Sequence, residues 1–141
     1  MNIVENLSDI SLHYFALVRR VSAKFDLTLS QALILLYVPF DGITISDLSQ
    51  KLGIDISTMT RNIQRIEKKQ LITRIPNISD KRSIKLLLSK RGKSIADSVN
   101  ESISQNIQKI LDKYDFDTAN QIMDNLESLG WDLYLYRQNM D

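Results

Sequence analysis

The sequence predicts a mainly α-helical chain with one small β hairpin. Three observations carry this. Apolar residues recur at helical spacing through most of the 141 residues. Four Gly and two Pro leave little room for linkers or many hairpins. One run, Arg82 to Leu88, alternates with strand period, placing Ile84, Leu86 and Leu88 on one face.

The elements follow in order. Ile3, Leu7, Ile10, Tyr14, Leu17 and Val21 are spaced 4, 3, 4, 3 and 4, which predicts a helix over 3–25. After a break at Asp26, Thr28 or Ser30 caps a second helix with Leu29, Leu33, Leu36 and Tyr37 on its face. Pro39 and Asp41-Gly42 end it. Thr44 to Asp47 resembles a capping box, with Asp in place of Glu or Gln. Ile45, Leu48 and Leu52 mark a short helix, closed by Gly53.

Asp55 or Ser57 caps the next helix, whose buried stripe is Ile56, Met59, Ile63 and Ile66. Two short amphipathic helices joined by a Gly-containing turn make a helix-turn-helix. Ile72 to Pro76 reads as extended and Asn77 to Lys81 as a turn, so the hairpin that follows is a wing. Ser89 caps a long helix with the seam Ile95, Val99, Ile103, Ile107, Ile110 and Tyr114. Asp115 or Asp117 starts the last helix, with Ala119, Ile122, Leu126, Leu129, Leu133 and Tyr136 at helical spacing. Gly130 interrupts that helix, at about 1 kcal/mol relative to Ala. Tyr37 and Trp131 read as core aromatics. The expected architecture is a winged helix-turn-helix over 28–93, flanked by long N- and C-terminal dimerisation helices (1–27 and 94–141) in one compact unit.

Composition excludes several classes. There is no cysteine, hence no disulfide, thiol nucleophile or cysteine-based metal site. His13 is the single histidine, too little for a histidine metal cluster or a Ser-His-Asp triad. No phosphate loop or nucleophile–base pair is visible, so an enzyme and a cofactor are not expected. No apolar run is long enough to span a membrane, and the N-terminus has no basic signal region, so the expectation is a cytoplasmic chain.

The net charge of +1 hides a strong pattern. Residues 40–93 carry twelve basic and five acidic side chains, a net +7, while residues 94–141 carry three and nine, a net −6. A basic middle beside an acidic end is a nucleic-acid footprint confined to one part of the molecule.

The helix after Gly53 offers Ser57, Thr58, Thr60, Arg61, Asn62, Gln64 and Arg65 on its outward face, with no acid from 56 to 66. These groups read base edges and phosphates. The wing tip carries Asp80, Lys81 and Arg82; an Arg there can enter a minor groove, braced by Asp80 through a charge-assisted bond. The first, fifth and sixth helices have seams too apolar for exposed helices. A homodimer covers them and spaces two reading helices about 34 Å apart, which predicts a palindromic operator.

At these residues a resemblance appears. The run Ile56 to Arg74 resembles the recognition helix and first wing strand of the MarR family of bacterial regulators. Asn77 to Arg82 is similar to the family's wing, including its Asp-x-Arg. Leu88 to Gly92 resembles its hydrophobic-Thr-x-x-Gly opening of the fifth helix, and Leu27 to Gln31 the start of its second. Three positions depart: Gln70 stands for the usual Gly, Asn62 is polar where the family is often apolar, and Ser89 replaces Thr.

The resemblance implies a homodimeric repressor that binds double-stranded DNA and is released by a small ligand, commonly aromatic or phenolic. Without cysteine, that ligand binds non-covalently. Carried over by position, recognition falls on Ser57, Thr58, Thr60, Arg61 and Arg65, and the wing role on Asp80 and Arg82, with Arg74 at the wing base; Lys81 joins the DNA-binding candidates from its place at the wing tip. A ligand pocket by position would be lined by His13, Leu17, Arg20, Leu33 and Tyr37. The competing reading is a winged-helix protein-interaction module without DNA binding.

Overall fold

The computed structural model describes residues 1–140. The elements are α1 (Ile3–Ala23), α2 (Leu29–Tyr37), β1 (Ile43–Thr44), α3 (Ile45–Leu52), α4 (Ile56–Lys68), β2 (Ile72–Pro76), β3 (Ile84–Leu88), α5 (Lys90–Leu111) and α6 (Phe116–Gln138). The expected mainly helical fold with a β wing is observed. It divides into two compact units, residues 1–103 and the rest, with the boundary inside α5. The last residue of the region read as 94–141 lies outside the described residues.

Local chemistry explains most ends. Asn2 accepts from Glu5 N–H and Glu5 Oε2 accepts from Asn2 N–H, which starts α1. Thr28 and Gln31 form the same reciprocal pair at α2. Thr44 Oγ1 accepts from Asp47 N–H at α3. Gly53, at φ 66°, closes α3 in the left-handed conformation. Asp55 caps α4, Ser89 Oγ accepts from Gly92 N–H in the first turn of α5, and Asp115 caps α6.

The first unit has its core where α2, α3, α4 and the sheet meet, around Ile34, Leu35, Leu48, Met59, Ile63, Ile66 and Leu86. The sheet is antiparallel with order β1-β3-β2. In the second unit, α6 has no buried residue. Among the described residues no helix is long and apolar enough to cross a membrane.

Five local expectations are corrected. A third strand exists: Ile43 pairs with Leu86 and Thr44 with Lys85. Two residues have no periodicity of their own, and only β3 makes them a strand. In α2 the buried positions are Gln31, Ala32, Ile34 and Leu35, not the face of Leu29, Leu33, Leu36 and Tyr37. This helix is apolar almost all round, so its spacing names no unique face. In α4, Asn62 is buried and Ile56 is 57% exposed. Asn62 lies three residues after Met59 and one before Ile63, so its position in the stripe outweighs its polarity, while Ile56 stands in the first turn, outside the packed stretch. Gly130 does not interrupt α6. Trp131 is 59% exposed rather than core, and Tyr37 is also exposed.

Candidate nucleic-acid interface

The α3–α4 connection is tight. Gly53 N–H donates to Gln50 O at 3.3 Å and Ile54 N–H to Ser49 O at 3.0 Å, so the chain leaves α3 and reaches the Asp55 cap within two residues. Asp55 then accepts from Thr58 N–H at 2.9 Å and from the Thr58 hydroxyl at 2.7 Å. Those bonds hold the Asp55 carboxyl below its usual range, the backbone N–H acting most strongly. The Thr58 hydroxyl is therefore committed to the cap.

With Met59, Asn62, Ile63 and Ile66 turned inward, α4 presents Ser57, Arg61, Gln64, Arg65 and Lys68 to solvent. Thr58 and Thr60 are half-buried at the margin. Of the expected groups the outward face thus keeps Ser57, Arg61, Gln64 and Arg65, while Thr58 and Thr60 lie at its edge and Asn62 is inside.

The wing is built by Asn77, a residue that sequence reading placed in the turn without a role. Its Oδ1 accepts from Ser79 N–H at 3.2 Å and its Nδ2 donates to Ser83 Oγ at 2.8 Å. Asn-x-Ser before a strand is the local signal for such a side-chain turn. Asp80 Oδ1 accepts from the Arg82 backbone N–H at 3.0 Å. The brace expected between Asp80 and the Arg82 guanidinium is therefore replaced by a bond to the Arg82 main chain. Among the described residues the Arg82 guanidinium makes no ion pair. Lys81 is exposed beside it.

Arg74 is held differently. It closes on Glu67 of α4, Nη2 to Oε1 at 2.7 Å and Nε to Oε2 at 3.1 Å. That bidentate bond raises the Arg74 pKa above its ordinary value. A cleft of about 480 Å³ brings Arg74, Asp80 and Arg82 together with Thr44, Asp47 and Asn77 at the start of α3.

Two residues join the α4–β2 turn to α5. Ser89 Oγ donates to Gln70 O at 2.7 Å and accepts from Gly92 N–H at 2.9 Å. A Cβ on Gly92 would lie 1.9 Å from the Leu71 carbonyl oxygen, so only glycine allows this approach. Gln70 adopts φ 61° without being glycine.

None of the five residues read as a ligand pocket lines the 480 Å³ cleft. His13 and Arg20 are exposed, Leu17 and Leu33 half-buried, and Tyr37 lies under the Lys51 ammonium, 5.3 Å from its ring centre. A larger cleft of about 670 Å³ lies elsewhere in the first unit. It is lined by Leu35, Leu36 and Val38 to Phe40, by Leu87 to Lys90, and by Lys93, Ala96, Asp97 and Asn100. Phe40 is 92% exposed, with the Lys93 ammonium 5.7 Å from its ring centre. Among the described residues no group of three acids or histidines is arranged to hold a metal ion.

Residues 27–84, from the start of α2 to the wing, match the model of the MarR family. Over that stretch the chain is similar to the MarR family. Two curated relatives agree. The HTH-type transcriptional regulator SarZ of Staphylococcus saprophyticus is 27% identical over 100 residues, 70% of this chain and 66% of SarZ. The multiple antibiotic resistance protein MarR of Escherichia coli is 30% identical over 71 residues, 50% of this chain and 49% of that one. The chain thus aligns with about two thirds of one relative and half of the other. Among solved structures, the S. aureus MepR–DNA complex superposes with a TM-score of 0.75 at 20% identity, over 92% of this chain and 96% of MepR. The chain therefore shares the winged-helix fold of that structure.

Proposed function

We propose that this chain is a homodimeric transcriptional repressor that reads a palindromic operator on double-stranded DNA. Helix 56–70 and the wing 72–88 do the reading within the lobe 28–93. Residues 1–27 and 94–141 pair the two copies. Site roles are as expected from sequence for Ser57, Thr60, Arg61, Arg65, Lys81 and Arg82. Arg74, Asp80 and Thr58 act by holding the surface rather than by touching DNA.

One observation carries the reading. The exposed face of α4 bears Arg61, Arg65 and Lys68, its one acid, Glu67, is held in the ion pair with Arg74, and the wing exposes Lys81 and Arg82. An ordinary solvated helix face mixes signs; a surface for phosphates and base edges does not. The DNA complex solved for MepR is in keeping with it. Pairing of two copies is supported by the apolar side chains left exposed on each flanking helix, among them Ile3, Val4 and Leu12 on α1 and Leu126, Trp131 and Leu133 on α6. Release by a small non-covalent ligand is supported by the 670 Å³ cleft, a volume suited to a drug-sized molecule.

The test is fluorescence anisotropy on duplexes recovered by binding selection from genomic fragments, over a range of salt. Affinity should fall with salt by about 0.9 log units per log unit for each phosphate contacted. Absence of duplex binding at low salt overturns the proposal in favour of a protein-interaction module. Sedimentation showing a monomer at micromolar concentration overturns the dimer.

A further inference from the structure

The two non-glycine residues with left-handed backbone among the described residues are Asp26, at φ 58°, and Gln70, at φ 61°. Each ends a helix in the same way. Leu27 N–H donates to Ser22 O at 3.1 Å beyond Asp26, and Leu71 N–H donates to Ile66 O at 3.2 Å beyond Gln70. For residues with a Cβ this conformation is unfavourable, and it persists where surrounding contacts over-determine it.

One side chain connects the two ends. Lys69, the residue before Gln70, donates its Nζ to the main-chain oxygen of Asp26. It also donates to Gln31 Oε1 at 3.2 Å and stands 3.6 Å from Asp26 Oδ2. Gln31 is buried, and the same Oε1 accepts from Thr28 N–H. A single ammonium, carried by the C-cap residue of α4, therefore meets the turn that ends α1 and the capping box of α2.

We infer that Lys69 is a positioning residue that sets the pitch of α4 from the end of α1, rather than one of the basic groups that meet DNA. The inference rests on the DNA reading proposed above. Lys69 belongs to the +7 segment, yet its ammonium is taken up by Asp26 and Gln31, whereas neighbouring Lys68 is exposed. Leverage makes the tie matter. Arg61 lies eight residues up α4, about 12 Å along the axis. A tilt of about 5° at Lys69 moves it by about 1 Å, beyond the roughly 0.5 Å within which a binding constellation must be held. Phosphate contacts, made by long flexible side chains, tolerate that shift; bidentate bonds to a base edge do not.

The experiment uses the full chain with Lys69→Met, a duplex recovered by selection, and a scrambled duplex of equal length. The expected result is about tenfold weaker binding to the selected duplex, the size of a lost charged hydrogen bond. Scrambled-duplex affinity and the salt slope should not change, and Lys69→Arg should restore most of the selectivity. A salt slope lower by about 0.9, with both duplexes weakened alike, makes Lys69 a phosphate contact and overturns the inference. Unchanged binding to both also overturns it.

Amide exchange of the free protein gives a readout without DNA. Lys69→Met should speed exchange at Leu27 and Leu71 together, and unchanged exchange removes the tie. A wild-type chain that binds no duplex overturns the DNA reading itself, and exchange then judges the tie alone. If Lys69→Met melts too low to assay, Gln31→Met withdraws one acceptor and is read the same way.

Discussion

Arg74 and Glu67 join the first wing strand to α4 through a bidentate ion pair, Nη2 to Oε1 at 2.7 Å and Nε to Oε2 at 3.1 Å. Both side chains keep nearly a third of their surface in solvent. Arg74→Ala should therefore lower stability by about 0.5–1 kcal/mol in urea titrations, the upper end for such pairs. It should leave the salt slope of DNA binding unchanged. Glu67→Gln should do the opposite to binding, freeing a guanidinium and steepening the slope. A lowered slope in Arg74→Ala would mean that Arg74 meets phosphate after all.

Arg61 and Arg82 should separate in their effects. Arg61, exposed on α4, should cost about 1–3 kcal/mol on truncation to Ala and relax the base preference at one operator position, if it binds guanine through two bonds. Arg82, with no ion pair holding its guanidinium, should on truncation lower the salt slope by about 0.9. Anisotropy on single-base operator variants at several salt concentrations measures both.

Gly92 and Gly130 are both helical, and their alanine variants should move in opposite directions. At Gly92 the new Cβ would meet the Leu71 carbonyl oxygen at 1.9 Å, which forces α5 away from the α4–β2 turn at a cost of about 3 kcal/mol. At Gly130 the Cβ meets nothing within 4 Å, so Gly130→Ala should gain about 1 kcal/mol of helix propensity. Gln70→Gly should also stabilise, by about 1 kcal/mol, because it relieves a left-handed residue that carries a Cβ. Thermal and urea unfolding of the three variants checks all of this.

The caps make stability depend on acid. The Asp55 and Asp115 carboxyls both lie below their ordinary range because each accepts from the N–H and hydroxyl of the threonine three residues on. A depressed folded pKa contributes stability that is fully present above the unfolded value, and it is lost as pH falls through the folded one. Wild-type protein should thus lose stability as pH falls through the ordinary carboxylate range and below it. Asp55→Asn keeps a good capping residue without titrating, so its stability should fall less over that window. Denaturation at a series of pH values tests it, and equal slopes in the two proteins would count against the cap.

Much of the site was legible because its chemistry is local. Gly53 closing α3, Asp55 capping α4 and the Asp-x-Arg turn each depend on residues within a few positions. The face of α4 followed from the spacing of Met59, Ile63 and Ile66. The same spacing placed Asn62 inside, but its polarity argued the other way. Glu67 and Arg74 are seven residues apart across a turn, and Lys69 meets Asp26 forty-three positions back, so neither pairing leaves a periodic mark in the chain.

By itself, then, the sequence determined the order and type of the helices, candidate caps for most of them, and the basic middle of the chain where the proposed reading surface lies. These follow from backbone propensity, short-range hydrogen bonds and side-chain charge, which act over one or two turns. Tertiary structure decided which face of α2 is buried, that Ile43 and Thr44 become a strand, and where Arg74 and Lys69 point. An all-round apolar helix can present any face, and a two-residue strand exists only against a partner. Likewise a long cationic side chain goes to whichever oxygens the fold brings within its reach. For Lys69 those are the oxygens at the end of α1 and in the cap of α2.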